Sequence, residues 1–66
     1  SWWGWGTNED EIFAVVREVP TKEAWNMTET EYGRLYQQNL SAVLQDELDG
    51  EEWRQVLNTV NAKPTK

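Results

Sequence analysis

Apolar residues recur at helical spacing in four short runs, and a side chain able to cap a helix stands ahead of each. Ile12, Val15, Val16 and Val19 form the first run, and Trp25, Thr28, Tyr32, Leu35 and Tyr36 the second. Leu40, Val43, Leu44 and Leu48 form the third, and Trp53, Val56, Leu57 and Val60 the fourth. Steps of three and four put each set on one helix face, and no stretch sustains the period of two of a half-buried strand. Thr7, Thr21, Asn39 and Asp49 are placed to accept from free first-turn amides. Asp10 and Glu52 follow Thr7 and Asp49 by three residues, the spacing of a capping box. Glu9, Asp10 and Glu11 suit the positive end of a helix dipole, and Pro20 stops the first helix after roughly residues 8–18. The second helix has the weakest local support: residues 26–30 are poor helix formers, and Gly33 costs about 1 kcal/mol relative to Ala. The expectation is an all-α, compact four-helix domain over residues 1–62, with Trp25 and Trp53 in its core. Residues 63–66 read as a C-terminal linker or tail.

Sixty-six residues allow one domain at most, near the lower size limit for a self-sufficient core. Without cysteine the chain has no disulfide, thiolate metal site or thiol nucleophile. Without histidine it lacks the commonest metal ligand and the usual base near neutral pH. Twelve acidic residues against six basic ones give a formal charge of −6. That balance argues against nucleic acid, whose binding rests on Lys and Arg pairing with phosphate, and against unaided binding to an anionic lipid surface. No apolar run approaches the ~20 residues of a membrane-spanning helix. Glu9, Asp10, Glu11, Glu29, Glu31, Glu51 and Glu52 are the ordinary content of solvated helix faces and first turns, and a domain this small hardly forms a cleft for paired carboxylates. The chain reads as no enzyme. Its opening Ser1 and closing Ala62-Lys63-Pro64-Thr65-Lys66 suggest a domain taken from something larger.

The candidate site is the run Trp2-Trp3-Gly4-Trp5-Gly6-Thr7, which carries three of the five tryptophans and feeds into the acidic start of the first helix. Gly4 and Gly6 tolerate backbone conformations that turn carbonyls outward. Gln45-Asp46-Glu47-Leu48-Asp49-Gly50 supplies a carboxylate that can fold back onto that bend. Backbone carbonyls plus a distant carboxylate suit a hard cation such as calcium. A helix N-terminus alone repels a cation, so the carboxylate is essential to this reading. On the other reading, the glycines only shape the approach to Thr7, and the indoles pack on the helices or on a neighbouring domain.

Three blocks carry a family likeness. Gly4-Trp5-Gly6-Thr7-Asn8-Glu9-Asp10-Glu11-Ile12 resembles the Gly-x-Gly-Thr-acidic opening of an annexin repeat. Tyr32-Gly33-Arg34-Leu35-Tyr36-Gln37-Gln38-Asn39-Leu40 is similar to the tyrosine-rich end of that repeat's second helix and the turn after it. Leu44-Gln45-Asp46-Glu47-Leu48-Asp49-Gly50 resembles the segment that supplies the family's acidic calcium ligand. The resemblance implies a compact right-handed helical repeat whose loop carbonyls bind calcium and bridge it to phospholipid. It makes Trp2, Gly4 and Gly6 donors of backbone oxygens and Glu47 the carboxylate ligand. The interval from Gly6 runs one residue longer than the family's, which leaves Asp46 as the alternative acid. Trp5, between the glycines, takes the place of the lipid-contacting residue, with Trp3 beside it as a membrane or partner contact. Annexins carry four or more repeats and this chain carries one; single annexin-like modules occur within larger bacterial and phage-type proteins.

Three carbonyls and a bidentate carboxylate give fewer oxygens than the 6–8 calcium takes, so such a site is weak, on the order of 10⁻⁴ to 10⁻³ M. Burying most of one Trp, ~200 Å², is worth up to about 5 kcal/mol. Near an anionic leaflet each charge counts for about 1 kcal/mol, so a net-negative domain needs calcium to attach. The functional expectation is a non-catalytic module of a larger protein that attaches to phospholipid with calcium. The alternative is a calcium-independent protein-interaction or scaffolding domain, for example within a bacterial or phage structural protein.

Overall fold

The computed structural model describes residues 8–66. These form four helices: α1 (Glu9–Glu18), α2 (Lys22–Tyr36), α3 (Leu40–Glu47) and α4 (Gly50–Asn61). No strand occurs among the described residues. The chain is a small all-α, four-helix domain, as the spacing of its apolar residues predicts.

Local chemistry accounts for each helix start. Asn8, extended at φ −77° and ψ 119°, accepts the Asp10 amide on Oδ1 at 2.8 Å. Asn8 is therefore the cap of α1, and Thr7, the expected cap, lies outside the described residues. Asn is at least as good an N-cap as Thr, and starting one residue later leaves Glu9, Asp10 and Glu11 in the first turn. Thr21 accepts the Ala24 amide at 3.0 Å, and Asn39 accepts that of Ala42 at 3.0 Å. Asp49 and Glu52 complete a capping box: the Glu52 amide donates to Asp49 at 2.8 Å, and the Asp49 amide to Glu52 at 2.9 Å.

The α2 helix runs unbroken through its weak segment. It ends where Gln37 takes a left-handed conformation, φ 51° and ψ 38°, and its amide donates to the Gly33 carbonyl. Gln37 also donates from Nε2 to the Arg34 carbonyl at 3.0 Å, which binds another of the carbonyls left over at a helix end.

Ile12 and Val16 of α1, Trp25 and Tyr32 of α2, Leu40, Val43, Leu44 and Leu48 from α3 and its cap, and Val56 of α4 make one buried cluster. Phe13, Val19, Trp53 and Val60 close its edge. The α4 helix packs against the other three, and α2 also packs against α3. Ser41 of α3 donates to the Glu29 carboxylate of α2 at 2.8 Å, which ties that pair on its polar side.

Three apolar expectations need correction. Trp53 is only half-buried, because it packs at the cluster's edge rather than inside it. Leu57 is 42% exposed although it shares the apolar spacing of α4. Leu35 and Tyr36, expected on the same face as Trp25 and Tyr32, are exposed.

Residues 63–66 lie against the domain. The Lys22 amide donates to the Pro64 carbonyl at 2.9 Å, and the Glu23 amide to that of Thr65 at 3.1 Å. With Thr21 serving Ala24, these two bonds satisfy the first-turn donors of α2, groups that have no partner within a helix of their own.

Candidate functional site: the end of α3 and the outer face of α2

Of the residues expected to bind calcium, the structure describes two. Glu47 is the last residue of α3 and is half-buried, whereas Asp46 beside it is exposed. Asp46 lines a shallow depression of about 320 Å³ with Gln38, Asn39, Ala42 and Val43. Asp49, the next carboxylate along the chain, is committed to capping α4. Among the described residues no group of three or more carboxylates is placed to hold a metal. Trp2, Trp3, Gly4, Trp5 and Gly6, the other expected ligands and contacts, lie outside the described residues.

The surface that sequence reasoning missed is on α2. Met27 is 66% exposed, Leu35 52% and Tyr36 41%. With Ala24, Thr28, Glu31 and Tyr32 they line a groove of about 620 Å³ along one side of the helix. Tyr32 spans inside and outside: it is 4% exposed, and its ring lies 4.8 Å from that of Tyr36 at an interplanar angle of 51°. A tilted pair at that separation is favourable for two aromatic quadrupoles. Burial disfavours the phenolate and raises the Tyr32 pKa, with the neighbouring Tyr36 adding to the rise.

Among the described residues Glu31 is the only acidic one lining the groove, and Arg34 neutralises it. Arg34 Nε donates to both carboxylate oxygens, at 3.2 and 3.1 Å, and Nη2 pairs with Oε1. The hydrogen bond to Arg34 lowers the Glu31 pKa. The same bond to Glu31 raises that of Arg34.

A signal for this face was present in the sequence. At roughly 100° per residue, Ala24, Met27, Thr28, Glu31 and Leu35 all lie to one side of the direction set by Trp25 and Tyr32. Apolar residues thus spread over an arc of about 180°, wider than the stripe of ≳ 100° that suffices to face one core. The excess marks a second surface.

No helix among the described residues is long and apolar enough to cross a membrane. Comparison with protein-family models, with curated proteins and with solved structures returns no match to this chain.

Proposed function

We propose that this chain is a non-catalytic, calcium-independent interaction module that presents the outer face of α2 to an apolar helical segment of another protein. The observation that carries the reading is the groove itself, where Met27, Leu35 and Tyr36 are all exposed on one helix. A helix of fifteen residues offers anchors at steps of three and four, the geometry of helix-in-groove recognition. A flexible thioether beside an aromatic pair adapts to more than one apolar partner. The Glu31–Arg34 pair lowers the cost of burying the groove's charge, because neither group is left unpaired.

Selection from a library of amphipathic helical peptides tests this reading. Peptides bound to the wild-type chain are expected to lose at least about thirtyfold in affinity, ~2 kcal/mol, against Leu35→Lys or Met27→Lys. A selection that yields no binder, or binders indifferent to both substitutions, refutes it.

Calcium-assisted attachment to a phospholipid surface is the second reading, and one observation favours it. The last turn of α3 carries no basic residue, so Asp46 and Glu47 stand at the negative end of a helix dipole. Tryptophan emission is then expected to shift to the blue only when millimolar calcium and phosphatidylserine vesicles are both present. Glu47→Gln is expected to remove that response, with Asp46→Asn as the test of the alternative acid. An emission spectrum insensitive to both additions excludes this reading.

A further inference from the structure

We infer that Met27 is an oxidation site that switches the α2 groove: conversion of its thioether to the sulfoxide by a peroxide releases a bound helical partner and leaves the domain folded. This regulation rests on the docking role proposed above for the same groove.

Residue content singles out this sulfur. Met27 is the only methionine, and the chain has no cysteine, so no thiolate competes for oxidant. Dilute hydrogen peroxide near neutral pH attacks thioethers far faster than indoles or phenols. The five tryptophans and two tyrosines are therefore poor competitors.

Placement makes the sulfur reachable. Trp25 is 5% exposed in the core; two residues on, about 200° further around the axis, Met27 is 66% exposed. It belongs neither to the buried cluster nor to the side chains that close its edge. Methionine more often fills gaps inside a core, where solvent-borne oxidant arrives slowly. Here it stands in water and lines the groove beside Leu35 and Tyr36.

The oxidation balances with peroxide alone. A sulfur lone pair attacks one peroxide oxygen, the S–O bond forms as the O–O bond breaks, and the other oxygen leaves as water. Sulfur loses two electrons and the peroxide gains them. Reversal takes two electrons and two protons from a pair of thiols, which join as a disulfide while the oxygen leaves as water. Those thiols belong to a methionine sulfoxide reductase, because this chain has none.

Polarity links the modification to docking. The sulfoxide oxygen is a hydrogen-bond acceptor, and an apolar partner helix brings no donor to it. Donors on α2 are partly spent: the Thr28 hydroxyl donates to the Ala24 carbonyl at 2.9 Å, and Arg34 is held by Glu31. An acceptor covered without a hydrogen bond weakens binding by about tenfold or more. The buried cluster contains no part of Met27, so folding is spared.

The test uses a groove-selected peptide free of methionine and cysteine. Under dilute hydrogen peroxide the unbound chain is expected to gain one oxygen, mapped to Met27, at the rate of an exposed methionine in a short peptide. Saturating peptide should slow that gain. The oxidised chain should bind the peptide at least about tenfold more weakly with its urea midpoint unchanged, and a sulfoxide reductase should restore affinity. Met27→Leu is expected to bind the peptide and to ignore peroxide.

Equal affinity of the reduced and oxidised chains overturns the switch and leaves the docking surface standing. Slow oxidation of the unbound chain overturns it too, as does a loss of affinity that Met27→Leu shares or that a fallen urea midpoint accompanies. A selection that yields no peptide overturns the docking reading, and the switch with it, however fast Met27 oxidises.

Discussion

Leu44 is 0% exposed and Leu57 42% exposed, though both sit on apolar stripes of equal regularity. Truncating the first leaves a hole among Ile12, Leu40, Val56 and their neighbours, and truncating the second leaves a shorter side chain in water. Leu44→Ala is therefore expected to cost about 2–5 kcal/mol, a large part of the roughly 3–10 kcal/mol available to a domain of this length. Leu57→Ala should cost under about 1 kcal/mol. The urea midpoints of the two variants give the comparison, and equal midpoints contradict the assigned core. Tyr32 supplies a pH dependence. Its folded-state pKa lies above the ordinary phenol value because of burial. The resulting stability is present in full below about pH 10 and is lost as pH rises through the folded pKa, since the unfolded phenol ionises first. Tyr32→Phe is expected to flatten the alkaline fall in stability above about pH 10, whatever it does to stability at neutral pH.

At the scale of the element, the helix starts were the most legible feature, because a cap is a contact between residues two or three apart. Thr21, Asn39 and the Asp49–Glu52 box all follow from residue type and spacing. The start of α1 came out one residue off because two competent caps, Thr7 and Asn8, stand side by side. The α2 helix shows the limit of local reading. Its weak centre is held by Trp25 and Tyr32 in the core and by the carboxylate of Glu29, bound by Ser41, and neither contact is visible in propensity. The width of its apolar arc signals a second surface, but periodicity orders side chains around an axis without saying which part of the arc a neighbour covers. Gly33 is the position where α2 can be improved. A Cβ there would meet its nearest neighbour, the Gln38 carbonyl oxygen, at 3.7 Å, an ordinary contact. Gly33→Ala should stabilise the domain by up to about 1 kcal/mol, a rise in Tm of about 4–8 °C for a chain this small. A fall in Tm would show that the end of α2, where the chain turns back past Gln38, tolerates less than its spacing suggests.

Across the whole molecule, four helices share one cluster of buried side chains, and α4 touches each of the others. The candidate calcium site was the least legible feature. It depends on an encounter between distant segments, one of which lies outside the described residues, and at the end of α3 Glu47 is half-buried while Asp46 is exposed. The tail is the counterpart on the side of gain. Composition alone marks residues 63–66 as a linker, yet two of their carbonyls bind amides at the head of α2. Removing these residues returns the Lys22 and Glu23 amides to water. The expected cost is about 1–3 kcal/mol, from two hydrogen bonds at ~0.5–1.5 kcal/mol each. Hydrogen exchange at those two amides should quicken, while exchange at Ala24, still served by Thr21, changes least.

That clasp has a consequence for biosynthesis. Proteins emerge from the ribosome N-terminal end first, so residues 22 and 23 leave the exit tunnel long before residues 64 and 65. Until the later pair arrives, the opening turn of α2 has only solvent for its first two amides. The finished arrangement is thus a post-emergence event, and whatever sequence is fused behind position 66 bears directly on how promptly it locks.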